Sequence, residues 1–271
     1  MKTERRSIVL LGAGKVATHL SAALKQAGHT LLQVYSQTET SSQALAKQLG
    51  CPSTTRPEAV RTDADIYLFS LKDDALASVI ARIPANHGLW AHTAGSMPMD
   101  IFQGHATRYG VLYPLQTFSK HREIAMQRVP FFVEANDNAA ENTLTNLALS
   151  ISDRVQPLTS EKRKHIHLAA VFACNFANHC YAVAADLLAQ QDIPFDVLLP
   201  LIDETSAKVH DLSPAEAQTG PAVRYDANVI RRHIDLLPTT MHKTLYELLS
   251  QSIHSATTSS GTSETHSTPS A

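Results

Sequence analysis

Several functional classes are marked by features in which this sequence is poor. Cysteine is scarce: Cys51, Cys174 and Cys180 form an odd, widely spaced set with no CxxC pair. That usage argues against a disulfide framework or a zinc site and fits a reducing, cytoplasmic setting. Cys174 and Cys180 are expected to pack as small hydrophobes. No charge dominates: 23 Lys and Arg against 25 Asp and Glu leave a net charge of -2. Neither nucleic acid nor an anionic membrane surface is therefore an expected partner. No apolar run approaches the ~18–20 residues of a membrane span. The run after Arg5 and Arg6 meets Gly12 too soon for a signal peptide. Ser255–Ala271 has no large apolar group, and eleven of its 17 residues are Ser or Thr. It cannot offset its ordering entropy and is expected to be a disordered tail.

What is present is an alternation of short apolar runs with helical patterns. Apolar residues make up 44% of the 271 residues, enough for a core of one or two domains. Strands are expected at Ser7–Gly12, Thr30–Ser36, Cys51–Thr55, Asp65–Leu71, Gly88–Thr93, Tyr109–Pro114, Pro130–Ala135 and Arg154–Leu158. Helical patterns separate most of them, which predicts an α/β fold with a Rossmann-like, doubly wound parallel sheet over residues 1–158. Past Thr159 the strand signal vanishes. Helices are expected from Ser160 to about Gln190, over Phe195–Val209, after Ser213-Pro214, from Asp226 to Leu236, and near Met241–Ile253. Residues 159–254 therefore read as an all-α second domain.

The first strand runs directly into Gly12-Ala13-Gly14-Lys15-Val16-Ala17, the G/A form of the dinucleotide fingerprint. Gly12 permits the tight turn, Gly14 a close backbone approach to a pyrophosphate, and Ala17 close helix–strand packing. The second strand ends in Ser36-Gln37-Thr38, with no acid before Glu39. An acid there would bind the ribose 2′-OH of NAD and repel a 2′-phosphate. Two hydroxyls and an amide can donate to a phosphate, helped by Lys15, although the arginine expected of an NADP site is missing from the stretch. NADP is favoured over NAD, and the missing acid also counts against a methyltransferase.

In such sheets ligands lie along the carboxyl ends of the strands. Three of those ends are polar: Ser70-Leu71-Lys72, His92 to Ser96, and Tyr113 to Phe118 with Gln116. The expected helix after Ser160 carries His167, Asn175, Asn178 and His179 among apolar residues. With the period of a regular α-helix, His167, Cys174 and Asn178 share a stripe, and Asn175 and His179 lie about 80–120° round from it. Two readings stand for these polar groups: they face a wet cleft, or they are buried and hydrogen-bonded to a neighbouring loop.

In order along the chain, GAGKVA, SLKDDA, HTAGS, YPLQTFSK, NFANH and QTGPAVRYD resemble a bacterial family of Rossmann-like proteins with a helical C-terminal domain of unknown function. Its members are carried as candidate NADP oxidoreductases. The resemblance covers residues 6–253. More distantly the chain is similar to pyrroline-5-carboxylate reductase, the deazaflavin-dependent NADP reductases, and the 3-hydroxyisobutyrate and 6-phosphogluconate dehydrogenases. That wider clan implies an active site between the nucleotide domain and the first long helix, and a homodimer paired through the helical domain. It also implies a lysine four residues before an asparagine on that helix. Here Val171 and Cys174 stand four residues before Asn175 and Asn178.

The candidate site follows. Gly12, Ala13, Gly14, Lys15, Val16, Ala17, Ser36, Gln37, Thr38, Ser70, Leu71 and Lys72 would bind the cofactor. His167 is the candidate proton donor, since its ordinary pKa suits acid–base work. Asn175, Asn178, His92 and Ser96 would orient a small-molecule substrate. Gln116, Gln218, Thr219 and Arg224 would bind it, Arg224 through a carboxylate or phosphate. No metal is expected. The alternative to an NAD(P)-dependent oxidoreductase is a non-catalytic dinucleotide-binding sensor or interaction module.

Overall fold

The computed structural model describes residues 4–119 and 122–260. The chain forms two compact units, Met1–Ala177 and Asn178–Ala271. The first holds an eight-stranded sheet: β1 (Ser7–Leu11), β2 (Thr30–Tyr35), β3 (Ser53–Thr54), β4 (Ile66–Phe69), β5 (Leu89–His92), β6 (Tyr109–Pro114), β7 (Phe131–Ala135) and β8 (Val155–Pro157). Their order is β3-β2-β1-β4-β5-β6-β7-β8. This is the expected Rossmann-like arrangement, with one departure. β7 runs antiparallel to β6, and β8 is parallel to β7. Among the described residues between β6 and β7 there is no α-helix, only a short 3₁₀ turn at Met126–Arg128. β5 and β6 are also joined through a 3₁₀ turn alone, at Met99–Phe102, yet pair in parallel, so the reversal belongs to the β6–β7 connection itself.

Helices α1 (Lys15–Gln26), α2 (Glu39–Leu49), α3 (Asp73–Ile80) and α4 (Asn138–Leu149) flank this sheet. Alternate residues of β1 feed opposite faces: Ile8 and Leu10 pack with Leu20, Leu24 and Leu144, while Val9 and Leu11 pack with Tyr67, Phe69, Trp90 and Phe102. The strands are apolar on both sides because both sides are covered.

The long helix begins as α5 (Ser160–Ala170), widens into a π-helical turn at Val171–Phe176, and continues as α6 (Ala177–Ala189). Thr159 rather than Ser160 is its N-cap, accepting the Lys162 N–H at 3.4 Å. Ser160 and Arg163 instead tie α5 to the sheet. The buried Arg163 guanidinium donates to Glu134 of β7 at 2.6 Å, and the Ser160 hydroxyl donates to the same carboxylate at 2.6 Å.

Two expectations about this helix change. No apolar window of spanning length was expected in it, yet Ser160–Ala189 is long and apolar enough to cross a membrane by length and composition. None of its most apolar window is buried. Cys174 and Cys180 are exposed rather than packed.

The second unit contains α6, α7 (Leu199–Asp211), α8 (Ala227–Leu236) and α9 (Thr240–Ser260). Asp226 caps α8 as expected, accepting the Val229 N–H at 3.2 Å. Ser213-Pro214 starts only a turn. Ser213 and Glu216 close a capping box, with the Ser213 N–H on the Glu216 carboxylate at 3.0 Å. Gly220, at φ +106°, and Pro221 then stop propagation. α9 runs past Ile253 to Ser260, so the expected tail is helical over 255–260. Thr257 and Thr258 return their hydroxyls to the Ile253 and His254 carbonyls at 2.9 and 3.1 Å, which satisfies them inside a helix. The rest of that tail, 261–271, lies outside the described residues.

Candidate active site

The two fingerprint glycines have separate duties. Gly12 has φ +124°, and a Cβ there would run into the Ser70 carbonyl oxygen just past β4, so the turn from β1 into α1 admits no side chain. Gly14 is the N-cap of α1 in an extended conformation, and a Cβ on it would meet nothing within 4 Å. Its glycine character therefore serves space in front of the helix rather than the fold. α1 has no side-chain cap and no acid in its first turn, so its leading N–H groups face that space without a competing anion. A dinucleotide pyrophosphate fits this cradle. Ala17 is fully buried against the core, and Ala13 packs at its margin.

The other strand ends are more occupied. Ser70 accepts the Thr93 hydroxyl at 3.2 Å, Leu71 packs on the aromatic core, and Lys72 is the exposed N-cap of α3. Ser96 gives its hydroxyl to Asp73 of α3. His92 is fully buried. Its Nδ1 accepts the Ala94 N–H at 3.2 Å, and its Nε2 lies 3.2 Å from the Pro98 carbonyl. Burial, reinforced by the Arg163 guanidinium, holds His92 down to about 4. Both ring nitrogens are thus used to shape the loop from Thr93 to Pro98, and neither is free for a ligand.

One pocket of about 680 Å³ joins five of the candidates. Lys15 and Val16 of the fingerprint, Gln116 after β6, and His167 and Asn175 of the long helix all line it. Its volume suits a small ligand or a nicotinamide with a substrate beside it. His167 Nδ1 lies 3.1 Å from the Tyr113 hydroxyl, with the two rings edge to face. Gly95 sits against the other side of the ring: a Cβ there would come within 2.6 Å of His167 Cγ and Nδ1. Burial pushes the Tyr113 hydroxyl above its ordinary pKa, so it remains a neutral donor. The Tyr113 hydroxyl occupies Nδ1, so Nε2 is the ring nitrogen left to exchange a proton with a ligand.

The π-helical turn explains why Asn175 shares this pocket. Eight residues of regular α-helix would leave it about 80° round from His167. A wider turn absorbs about one extra residue, which reduces the offset to about 20°. The expected stripe of His167, Cys174 and Asn178 assumed one regular period throughout. In the structure the pocket wall is His167, Cys174 and Asn175. The side chains of Asn175, Asn178 and His179 are exposed and make no hydrogen bond with any described residue. A dry, loop-bonded role for them is not what this helix shows.

Asn178, Gln218, Thr219 and Arg224 belong to the second unit. Gln218 donates to the Thr219 carbonyl at 2.9 Å, and Arg224 is exposed. Among the described residues no cluster of three or more His, Cys, Asp or Glu is placed to hold a metal ion. Tyr113 and Gly95 are absent from the expected site, although both stand in motifs that the sequence singles out. Their role depends on a contact with a helix more than fifty residues downstream, with |i−j| of 54 for Tyr113 and His167.

Residues 1–119 match a family model described as a Rossmann-like domain, and residues 129–253 match a domain of unknown function, DUF2520. A Bacteroides fragilis protein described as a candidate NADP oxidoreductase is 48% identical, with 93% of this chain and 98% of that one aligned at a TM-score of 0.87. The chain belongs to that protein's family. An imine reductase from Myxococcus stipitatus, in complex with NADP+, is 14% identical over 95% of each chain at a TM-score of 0.63. A 1-pyrroline-5-carboxylate reductase from Streptococcus pyogenes is also 14% identical, over 93% of this chain and 99% of that one, at a TM-score of 0.61. These two share the fold. No curated protein matches the chain.

Proposed function

We propose that the chain is an NADP-dependent oxidoreductase that passes a hydride between the nicotinamide and a small substrate. The observation that carries this reading is the single pocket lined by fingerprint residues Lys15 and Val16 together with His167 and Asn175. The name of the Bacteroides fragilis relative and the NADP+ bound by the imine reductase support the choice of cofactor. The carboxylate missing from the end of β2 supports it independently.

Gly12, Ala13, Gly14 and Ala17 form and pack the pyrophosphate turn, with Lys15 beside it. When bound, the nicotinamide supplies or accepts the hydride. In the reducing direction His167, as the imidazolium, gives the proton that balances the hydride from Nε2 and returns to the neutral ring, while Tyr113 and Gly95 fix that ring. Asn175 and Gln116 orient the substrate by hydrogen bonds. In the second unit, Asn178, Gln218, Thr219 and Arg224 are substrate-side residues by their chemistry, Arg224 for an anionic group. His92, Ser96, Ser70, Leu71 and Lys72 act through the loops they shape rather than by direct chemistry. Exposed free cysteines suit a reducing cytoplasm, and the protein works as a homodimer paired through its helical domain.

The test measures NADPH binding by calorimetry and NADPH consumption against a panel of imines, keto acids and aldehydes. Gly14→Val is expected to stay folded and lose binding, because its side chain enters the pyrophosphate's space. His167→Ala is expected to bind NADPH normally and to lower turnover by roughly 10²–10⁴-fold. A wild-type protein that binds neither NADPH nor NADH would falsify the reading. A His167→Ala effect confined to melting temperature would remove His167 from the chemistry.

A further inference from the structure

An NADP site without a cation at the end of β2 is short of one component, since a 2′-phosphate brings close to two negative charges. β3 lies at the sheet edge beside β2. The two run parallel with Val34 opposite Ser53 and Tyr35 opposite Thr54. The pairing continues past the strands, because the Ser36 N–H donates to the Thr54 carbonyl at 3.2 Å. Two residues further on stands Arg56. Its N–H donates to the Thr54 hydroxyl at 3.1 Å, which holds the backbone at the carboxyl end of the edge strand instead of letting it run off. Sequence distance hid this neighbour, as Arg56 is 20 residues beyond Ser36.

The polar groups at this edge are unspent. Arg56 is exposed and makes no side-chain hydrogen bond or ion pair with a described residue. The nearest acid in sequence, Glu58, is engaged by Arg82 at 2.7 Å. Glu39, the first acid after β2, accepts from Gln43 along its own helix at 2.8 Å. Ser36, Gln37 and Thr38 make no side-chain hydrogen bond with described residues, and Thr38 leaves α2 without a side-chain cap. A guanidinium, two hydroxyls and an amide thus stand at the carboxyl ends of two paired strands with no side-chain hydrogen bond to a described residue, the Arg56 charge acting only at a distance on Glu58.

We propose that Arg56 is the cation that binds the 2′-phosphate of NADP, with Ser36, Gln37 and Thr38 as neutral donors beside it. The inference rests on the dinucleotide reading above and adds the residue that sets the choice between NADP and NAD. A guanidinium suits the task because its paired N–H donors match two phosphate oxygens.

Calorimetric titrations of NADPH and NADH into wild type, Arg56→Gln and Arg56→Lys test it. Arg56→Gln is expected to lose about 10- to 100-fold in NADPH affinity, the size of one charge-assisted contact, with NADH affinity changed less than about 2-fold. Arg56→Lys is expected to recover part of the loss. Competition should follow the same rule, with adenosine 2′,5′-bisphosphate weakened by Arg56→Gln and adenosine 5′-monophosphate unaffected. Unchanged NADPH affinity in a folded Arg56→Gln protein overturns the assignment while leaving the dinucleotide reading intact. Equal losses for both cofactors overturn it too, since a general structural defect treats them alike. A wild type that binds neither cofactor removes the underlying reading, a result that cannot be mistaken for the other two.

Discussion

His92 carries a prediction that its burial dictates. Its folded pKa is held down to about 4, against an ordinary value near 6.5. The unfolded chain therefore binds the proton first as pH falls. The contribution of neutral His92 to stability is complete above pH ~6.5, declines as pH drops from there toward 4, and is exhausted below. Across that window the loss should approach about 3 kcal/mol. Denaturant unfolding of wild type and His92→Gln from pH 7.5 to 4 should give a difference between the two that shrinks as pH falls. A constant difference would show that His92 is not buried neutral. His29, whose pKa burial also lowers, keeps a share of the slope in both proteins. At this scale the residues that the sequence revealed are those whose meaning is local. Gly12 and Gly14 sit in a turn whose spacing alone describes it, and His167 is conspicuous on an otherwise apolar helix. Tyr113, Gly95 and Arg56 take their meaning from neighbours brought up by folding, and nothing within a few residues of each announces it.

At the scale of elements, α5 is fastened chiefly by charge, with Ile166 packed on Val111, Tyr113 and Phe132 as its apolar contact. Arg163 is its one buried residue. Its guanidinium reaches Glu134, the Ser160 hydroxyl at 3.0 Å and the Met97 carbonyl at 2.5 Å. Removing one partner strands the other charge out of water, which costs about 3–5 kcal/mol. Arg163→Ala should lower unfolding free energy by roughly that amount, and Glu134→Gln by less, because an amide oxygen still accepts. The Arg163→Ala variant should also loosen the pocket wall that presents His167, four residues along the same helix. Hydrogen exchange of α5 amides measures that loosening, and unchanged protection would mean that α5 is held by something else. Periodicity located this helix but not its π-helical turn, since a regular period was the only rule available for phasing its polar residues. The antiparallel β7 was hidden for a similar reason. Its residues read as a strand in either direction, and the connection before it is no guide, since β5 and β6 are parallel across a connection that also holds only a 3₁₀ turn.

The whole molecule poses a problem of insufficient burial. In the second unit the apolar residues buried among those described are Ala222 and Ile230. Fully burying a large aliphatic side chain contributes about 1.5–3 kcal/mol. Ordering each residue's backbone costs about 1–2 kcal/mol, over four helices. One such side chain and an alanine cannot hold that unit in one conformation. Meanwhile Leu201, Leu236, Met241 and Leu248 are each more than half exposed, as are Leu168 and Phe172 on the long helix. Exposed apolar side chains in such number on helices mark a surface that water does not normally cover. A second copy of the chain is the occupant that the proposed function names, and it would convert the exposed set into a shared core. Light scattering at micromolar concentration should then give twice 29.5 kDa. The melting temperature should rise with protein concentration, since association stabilises the folded state by mass action. Leu248→Glu should weaken both, shifting mass toward the monomer and lowering the melting temperature, while an exposed polar control such as Gln191→Ser should change neither. A monomer with a concentration-independent melting temperature would refute the pairing, and some other partner would then have to cover those helices.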